Sequence, residues 1–146
     1  EMNDVIDYKP WLTEGPIDPM FVNRFLEGDL TAEECRYIGF REQTSRPELI
    51  ERTVLEVAGT VLTCQLARVY GLAANVAGGT HHAHPTGGAG YTILNDLAVA
   101  SHVLLTEKGG RGKSDKKGLQ EDVHTKHNNN IERVLVIDTD VHQGDV

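Results

Sequence analysis

The chain has 146 residues, 39% of them apolar and 25% charged, with a formal charge of −8. That length suits one domain or part of a larger one, and the negative balance argues against direct binding of nucleic acid or an anionic membrane. Aromatic side chains make up 5% of the chain, too few for a base-stacking platform, and no stretch approaches the roughly 20 apolar residues of a membrane helix.

Cys35 and Cys64 lack a CxxC spacing and read as reduced thiols of an intracellular protein, whether of nucleus, cytoplasm or an organelle. The opening Glu1-Met2-Asn3-Asp4 has no signal-peptide pattern. A chain starting on Glu1 is expected to derive from a longer or processed one.

Residues 1–16, with Pro10 and Pro16, are polar and turn-rich and are expected to be irregular. Met20, Phe21, Phe25 and Leu26 predict a short helix, with Asp18 as cap and Pro19 as first residue. Thr31-Ala32-Glu33-Glu34 matches a capping box and predicts a second. Leu49, Ile50, Val54, Val57, Ala58, Val61, Leu62, Leu66 and Val69 recur at threes and fours. They predict a long helix from Pro47 to a left-handed cap at Gly71.

Leu72 to Ala77 reads as a short buried strand ended by Gly78-Gly79, and a Gly-rich loop follows at 85–90. Ile93 to Leu105 predicts a helix packed through Leu94, Leu97, Ala98, Ser101, Leu104 and Leu105. Gly, Lys, Asp and Asn dominate residues 106–130, which read as a mobile polar insertion. The β-branched run Arg133-Val134-Leu135-Val136-Ile137 reads as a buried strand. Strand, helix and strand in that order predict an α/β fold, a parallel sheet flanked by helices.

Asp138, Asp140 and His142 stand at i, i+2 and i+4 after that run. In extended chain such side chains point the same way, at the strand end where open α/β sheets place ligands. Adjacent carboxylates repel unless a cation or proton lies between them. Zinc accepts Asp and His together, although a solvated turn has the same composition. The vicinal His81-His82 follows Gly78-Gly79. Such a pair is more often incidental, but imidazoles titrate near neutrality and move protons. A carboxylate on one ring nitrogen fixes the tautomer. Of the other histidines, His102 reads as a surface or boundary residue and His84 as an edge to the pair. His124 and His127 fall in the polar insertion.

Three ordered segments, Asn75 to Ala83, Gly90 to Ala98 and Val134 to Asp145, together resemble the histone deacetylase family. The wording is nearest the class IV or bacterial-like branch, with acetoin-utilisation and acetylpolyamine deacetylases among its relatives. The likeness spans most of residues 17–145, making this the N-terminal part of a deacetylase domain behind the 1–16 segment. It implies an arginase–deacetylase fold, incomplete at the C-terminus. It also implies roles by position: His81 and His82 as the catalytic pair, Asp138 and Asp145 as their acid partners, and Asp140 and His142 as two of three zinc ligands. Gly90 and Tyr91 match the substrate tunnel, Tyr91 standing where Phe is usual. Asp96 holds a helical position tied to structure.

The resemblance further implies Zn2+ as cofactor and a structural monovalent cation such as K+ near Asp138. It implies acetylated lysine in peptides or proteins such as histones as the substrate, and a role in chromatin regulation. The family's third zinc ligand and oxyanion tyrosine come later than Val146, so the chain alone is expected to be inactive. Two other readings stay open: a non-catalytic isoform acting by binding, and a deacetylase of small acetylated amines.

Overall fold

The computed structural model describes residues 8–106 and 131–145. Capping chemistry and proline define its first elements. Helix α1 (Lys9–Thr13) is a single turn with Pro10 near its start, inside the segment expected to be irregular. Helix α2 (Pro19–Leu26) begins where the Asp18 carboxylate accepts the Met20 N–H at 2.8 Å. Helix α3 (Ala32–Ile38) carries the full capping box: Glu34 N–H donates to the Thr31 hydroxyl, and Thr31 N–H donates to the Glu34 carboxylate. It ends on Gly39 at φ 104°.

A 3₁₀ turn (Arg41–Ser45) leads into α4 (Pro47–Tyr70), which stops at Gly71 with φ 84°. Helix α5 covers Asp96–Thr106. No helix among the described residues is long and apolar enough to cross a membrane.

Phe21, Val22 and Phe25 of α2 are buried against Ile38, Val57, Val61 and Val99. Each buried phenylalanine contributes about 1.5–3 kcal/mol by leaving water. Helix α4 packs mainly on α5, and α1 crosses α5 as well. As far as Val61, α4 buries the predicted face through Val57, Ala58 and Val61. Beyond Val61 it does not: Leu62, Leu66 and Val69 are exposed.

Helix α5 starts three residues later than periodicity predicts, because Asn95 caps it by accepting the Ala98 N–H at 2.9 Å. Its buried face is Asp96, Val99, Ala100 and Val103, spaced i, i+3, i+4 and i+7. Leu105, expected on the packed side, is exposed.

Among the described residues the expected parallel sheet flanked by helices is not found. The described residues form helices without a sheet, and their β pairing is limited to isolated antiparallel bridges, His84 with Gly87 and Ala89 with Thr92. Apolar runs signal burial, whereas a strand also needs a ladder of backbone partners on its edges. Leu72 to Ala77 forms no strand, and its Leu72 and Val76 are exposed. Leu135, Val136 and Ile137 lie exposed outside regular structure. The polar stretch predicted at 106–130, with His124 and His127, lies outside the described residues apart from Thr106, which ends α5.

Arg24 of α2 grips Glu34 of α3 through two N–H donors, at 2.7 and 2.6 Å. That paired bond, helped by Thr31, holds the Glu34 carboxyl down to about 2. A carboxyl depressed in the folded state stabilises above its unfolded value and loses that contribution as pH falls through the folded one. The pair is partly open to water, which limits it to about 1 kcal/mol. Denaturant melts of the wild type and Glu34→Gln are therefore expected to differ by roughly that amount at about pH 5 and to converge towards about pH 2. A gap that is constant with pH contradicts the assignment.

Candidate active site

The chain reaches His81 through two glycines that only glycine suits. Gly78 and Gly79 have φ values of 96° and 79°, a region costly for side chains with a Cβ. At Gly78 space is also closed, since an added Cβ would run into the Asp96 carboxylate and the Thr60 hydroxyl.

The Asp96 carboxylate, fully buried at the head of α5, holds this turn. It accepts N–H bonds from Gly79 at 3.0 Å and Thr80 at 2.8 Å, and the Thr60 hydroxyl of α4 at 2.7 Å. The Thr80 hydroxyl stands 2.6 Å from it and accepts the Asp96 N–H in return. Gly78 N–H donates to Glu56 of α4, and Asn75 donates to Thr60. On the far side, the Asn95 amide donates to the Ala83 carbonyl at 3.0 Å. The backbone is thus gripped both before and after the two histidines.

Each histidine faces its own carboxylate. His81 Nδ1 lies 2.5 Å from Asp138 Oδ2, and His82 Nδ1 lies 3.0 Å from Asp145 Oδ2. Asp145 N–H also donates to the His81 carbonyl at 3.1 Å, so backbone and side chain of Asp145 both close onto the pair. The two rings stand edge to face, centroids 4.2 Å apart. The hydrogen bond with Asp138 raises the His81 pKa from its ordinary value, against the opposing effect of burial. The same bond, with the Asp140 N–H, lowers the Asp138 carboxyl.

Asp138, Asp140 and His142 do not converge on one side of a strand as expected; they are linked in series. Asp138 Oδ1 accepts the Asp140 N–H at 2.9 Å, and Asp140 Oδ1 accepts the His142 N–H at 2.7 Å. These are successive side-chain turns of the kind Asp favours. Asp140 Oδ1 also faces His142 Nδ1 at 2.8 Å. The two N–H groups of His142, backbone first, lower the Asp140 carboxyl. The His142 ring centroid lies 5.9 Å from that of His82. His81 and His82 are largely covered, with side chains 13% and 22% exposed, while Asp140 and His142 stay open at 51% and 70%.

Gly90, at φ 54°, lies against the His82 ring, leaving no room for a Cβ. Tyr91 takes φ 63°, donates its N–H to the Ile38 carbonyl at 2.8 Å, and stands edge-on to Phe40. Its ring fills the space a Cβ on Gly39 would need. A cavity of about 340 Å³ opens beside His81, lined by Asn95, Leu97, Ala98, Ser101, Val136, Asp138 and Gly144. His84 lines a different cavity with Glu33 and Tyr37. His102 is half-buried near Gly15.

Sequence reading passed over Asn95, Thr60 and Thr80. The signal for Asn95 was present as a capping residue before an apolar helical pattern, whereas nothing local marks Thr60. As for metal, the Asp140 carboxylate and the His142 imidazole are side chains of the types zinc accepts. Catalytic zinc takes three protein ligands, and among the described residues no group of three or more candidate donors gathers. The donor chemistry fits two ligands of such a site.

The chain is similar to several curated proteins. It is 39% identical over 128 residues to an uncharacterized protein of Picosynechococcus sp., covering 88% of this chain and 35% of that protein. It is 28% identical over 122 residues to the acetoin utilization protein AcuC of Staphylococcus aureus, covering 81% and 26%. With histone deacetylase 2 of Arabidopsis thaliana it shares 29% identity over 101 residues, covering 66% and 21%. The similarity supports a deacetylase-family origin. The chain spans between about a fifth and about a third of the length of these relatives. No family model matches the chain.

The two glycines before the histidines are expected to respond differently to substitution. Gly78→Ala meets both backbone strain and buried polar atoms, and should destabilise the chain by about 2 kcal/mol or more. At Gly79 an added Cβ meets nothing, so Gly79→Ala should cost only the strain, about 1 kcal/mol. Equal denaturant midpoints for the two variants would count against the closed space at Gly78.

Proposed function

We propose that this chain supplies the proton-handling half, and two of the metal ligands, of a zinc-dependent hydrolase that removes acetyl groups from lysine side chains, of the histone deacetylase type. The observation that carries this reading is the paired imidazole arrangement. His81 and His82 each present Nδ1 to a separate carboxylate, and the open Asp140–His142 pair lies one ring contact from His82. The named relatives, AcuC and histone deacetylase 2, support it at the level of family.

Chemistry follows from which nitrogens are free. With Nδ1 of both rings engaged, Nε2 of each is left to take or give a proton. One imidazole accepts the proton of an attacking water, and the same ring or its neighbour returns a proton to the leaving lysine amine. Asp138 and Asp145 hold the rings in the orientation this requires. Asp140 and His142 would hold the zinc, which when bound supplies Lewis-acid polarisation of the acyl carbonyl. Gly90, whose missing side chain lets the backbone pack directly on the His82 ring, and Tyr91 beside it would form part of the wall along which an extended acyl-lysine chain reaches the pair. A monovalent cation held partly by Asp138 belongs to the same proposal, as do acetylated proteins such as histones as substrates.

The test is hydrolysis of an acetyl-lysine peptide by the natural protein that carries this chain. Turnover should stop with a chelator and return with zinc. His82→Ala should lower kcat by about 100-fold or more, and Asp140→Asn should reduce bound zinc measured by elemental analysis. Turnover indifferent to both chelator and His82→Ala sinks the proposal.

A further inference from the structure

We propose that Asn95 is a positioning residue for the paired imidazoles of His81 and His82. This rests on the deacetylase reading above for its catalytic meaning, but on geometry for its physical content.

Asn95 does more than its place in the helix demands. As the cap of α5 it needs one acceptor, and its Oδ1 accepts the Ala98 N–H at 2.9 Å. Ser, Thr or Asp perform that task equally well. Asn95 also uses its amide as a donor, reaching 12 residues back to the Ala83 carbonyl at 3.0 Å. Ala83 is fully buried and directly follows His82. Its N–H closes on the Thr80 carbonyl at 3.3 Å, so residues 80–83 form one turn with both histidines inside it. The entry to that turn is fixed by Asp96 through the Gly79 and Thr80 N–H groups. Asn95 fixes the exit.

Asn95 is itself 5% exposed and lines the cavity beside His81. A buried amide that satisfies both its oxygen and its nitrogen across two elements is rigid. Rigidity here transfers to the rings. His82 Nδ1 meets Asp145 at 3.0 Å while the His81 carbonyl accepts the Asp145 N–H at 3.1 Å. Both bonds require the turn to hold its shape, and a catalytic group misplaced by about 1 Å loses on the order of 100-fold in rate.

Asn95→Asp separates the two roles. The carboxylate still caps α5 but sets an acceptor against the Ala83 carbonyl. In the full 146-residue chain, circular dichroism should show the helices retained. Long-range 15N–1H spectra should show the His81 and His82 rings moving from single locked tautomers towards averaged ones. In the natural protein that carries the chain, kcat should fall by about 100-fold with KM unchanged.

Folded Asn95→Asp with wild-type imidazole spectra overturns the proposal. Should Asn95→Asp fail to fold, Asn95→Ser, which also caps, takes its place. Loss of folding in both variants makes Asn95 purely structural and likewise overturns it. The spectra need neither metal nor substrate. A wild type without deacetylase turnover therefore sinks the functional reading alone, while unchanged spectra sink the positioning role alone.

Discussion

The buried carboxylate of Asp96 is the constraint on which the site depends. An ionised group removed from water is costly unless surrounded by donors, and Asp96 is surrounded by the N–H groups of Gly79 and Thr80 and the Thr60 hydroxyl. Those donors come from α4 and from the glycine turn, and the acceptor from α5. One carboxylate therefore ties both helices to the loop between them. Gly78 is part of the same solution, because its missing side chain is what lets the carboxylate come close. Every buried side-chain nitrogen and oxygen among the described residues has a partner, as a fixed polar centre requires.

From this anchor the site divides into a held part and an open part. His81 and His82 sit on the gripped turn, each with a carboxylate behind it and most of its surface covered. Asp140 and His142 hang on a segment that has no regular structure and stays in solvent. The division matches the chemistry proposed. Groups that pass protons need fixed orientation, whereas ligands to a cation are ordered by the cation itself.

What was legible in the sequence follows the range of the forces involved. Caps and prolines act within one turn, and the starts of α2, α3 and α4 fall at Pro19, Ala32 and Pro47. The glycine cap at Gly71 is equally local. Strands are not local. Leu72 to Ala77 and Arg133 to Ile137 have the composition of buried strands, yet a strand exists only through neighbours, and the described residues provide no ladder for either. The face of α5 was misjudged for a related reason: Leu97 and Leu105 are more apolar than Asp96, but Asp96 is the residue that the glycine turn requires inside. Within the site, the histidines and acids stood out by residue type and spacing. Their pairing, His81 with Asp138 and His82 with Asp145, came from the family resemblance and is the pairing found in the structure. Asn95 carried only the local signal of a cap and Thr60 none, because their further work is done across 12 and 36 residues.

The linked turns of residues 138–142 carry a consequence for inheritance. Asp138 receives the Asp140 N–H, and Asp140 receives the His142 N–H, so each step sets the starting direction of the next. Such a relay has a fixed stride of two residues. A single-codon insertion or deletion inside it would throw the terminal imidazole out of phase even if every acid and histidine survived. Drift in this segment is therefore tolerated at Thr139 and Val141, the residues between the steps, and far less in its length.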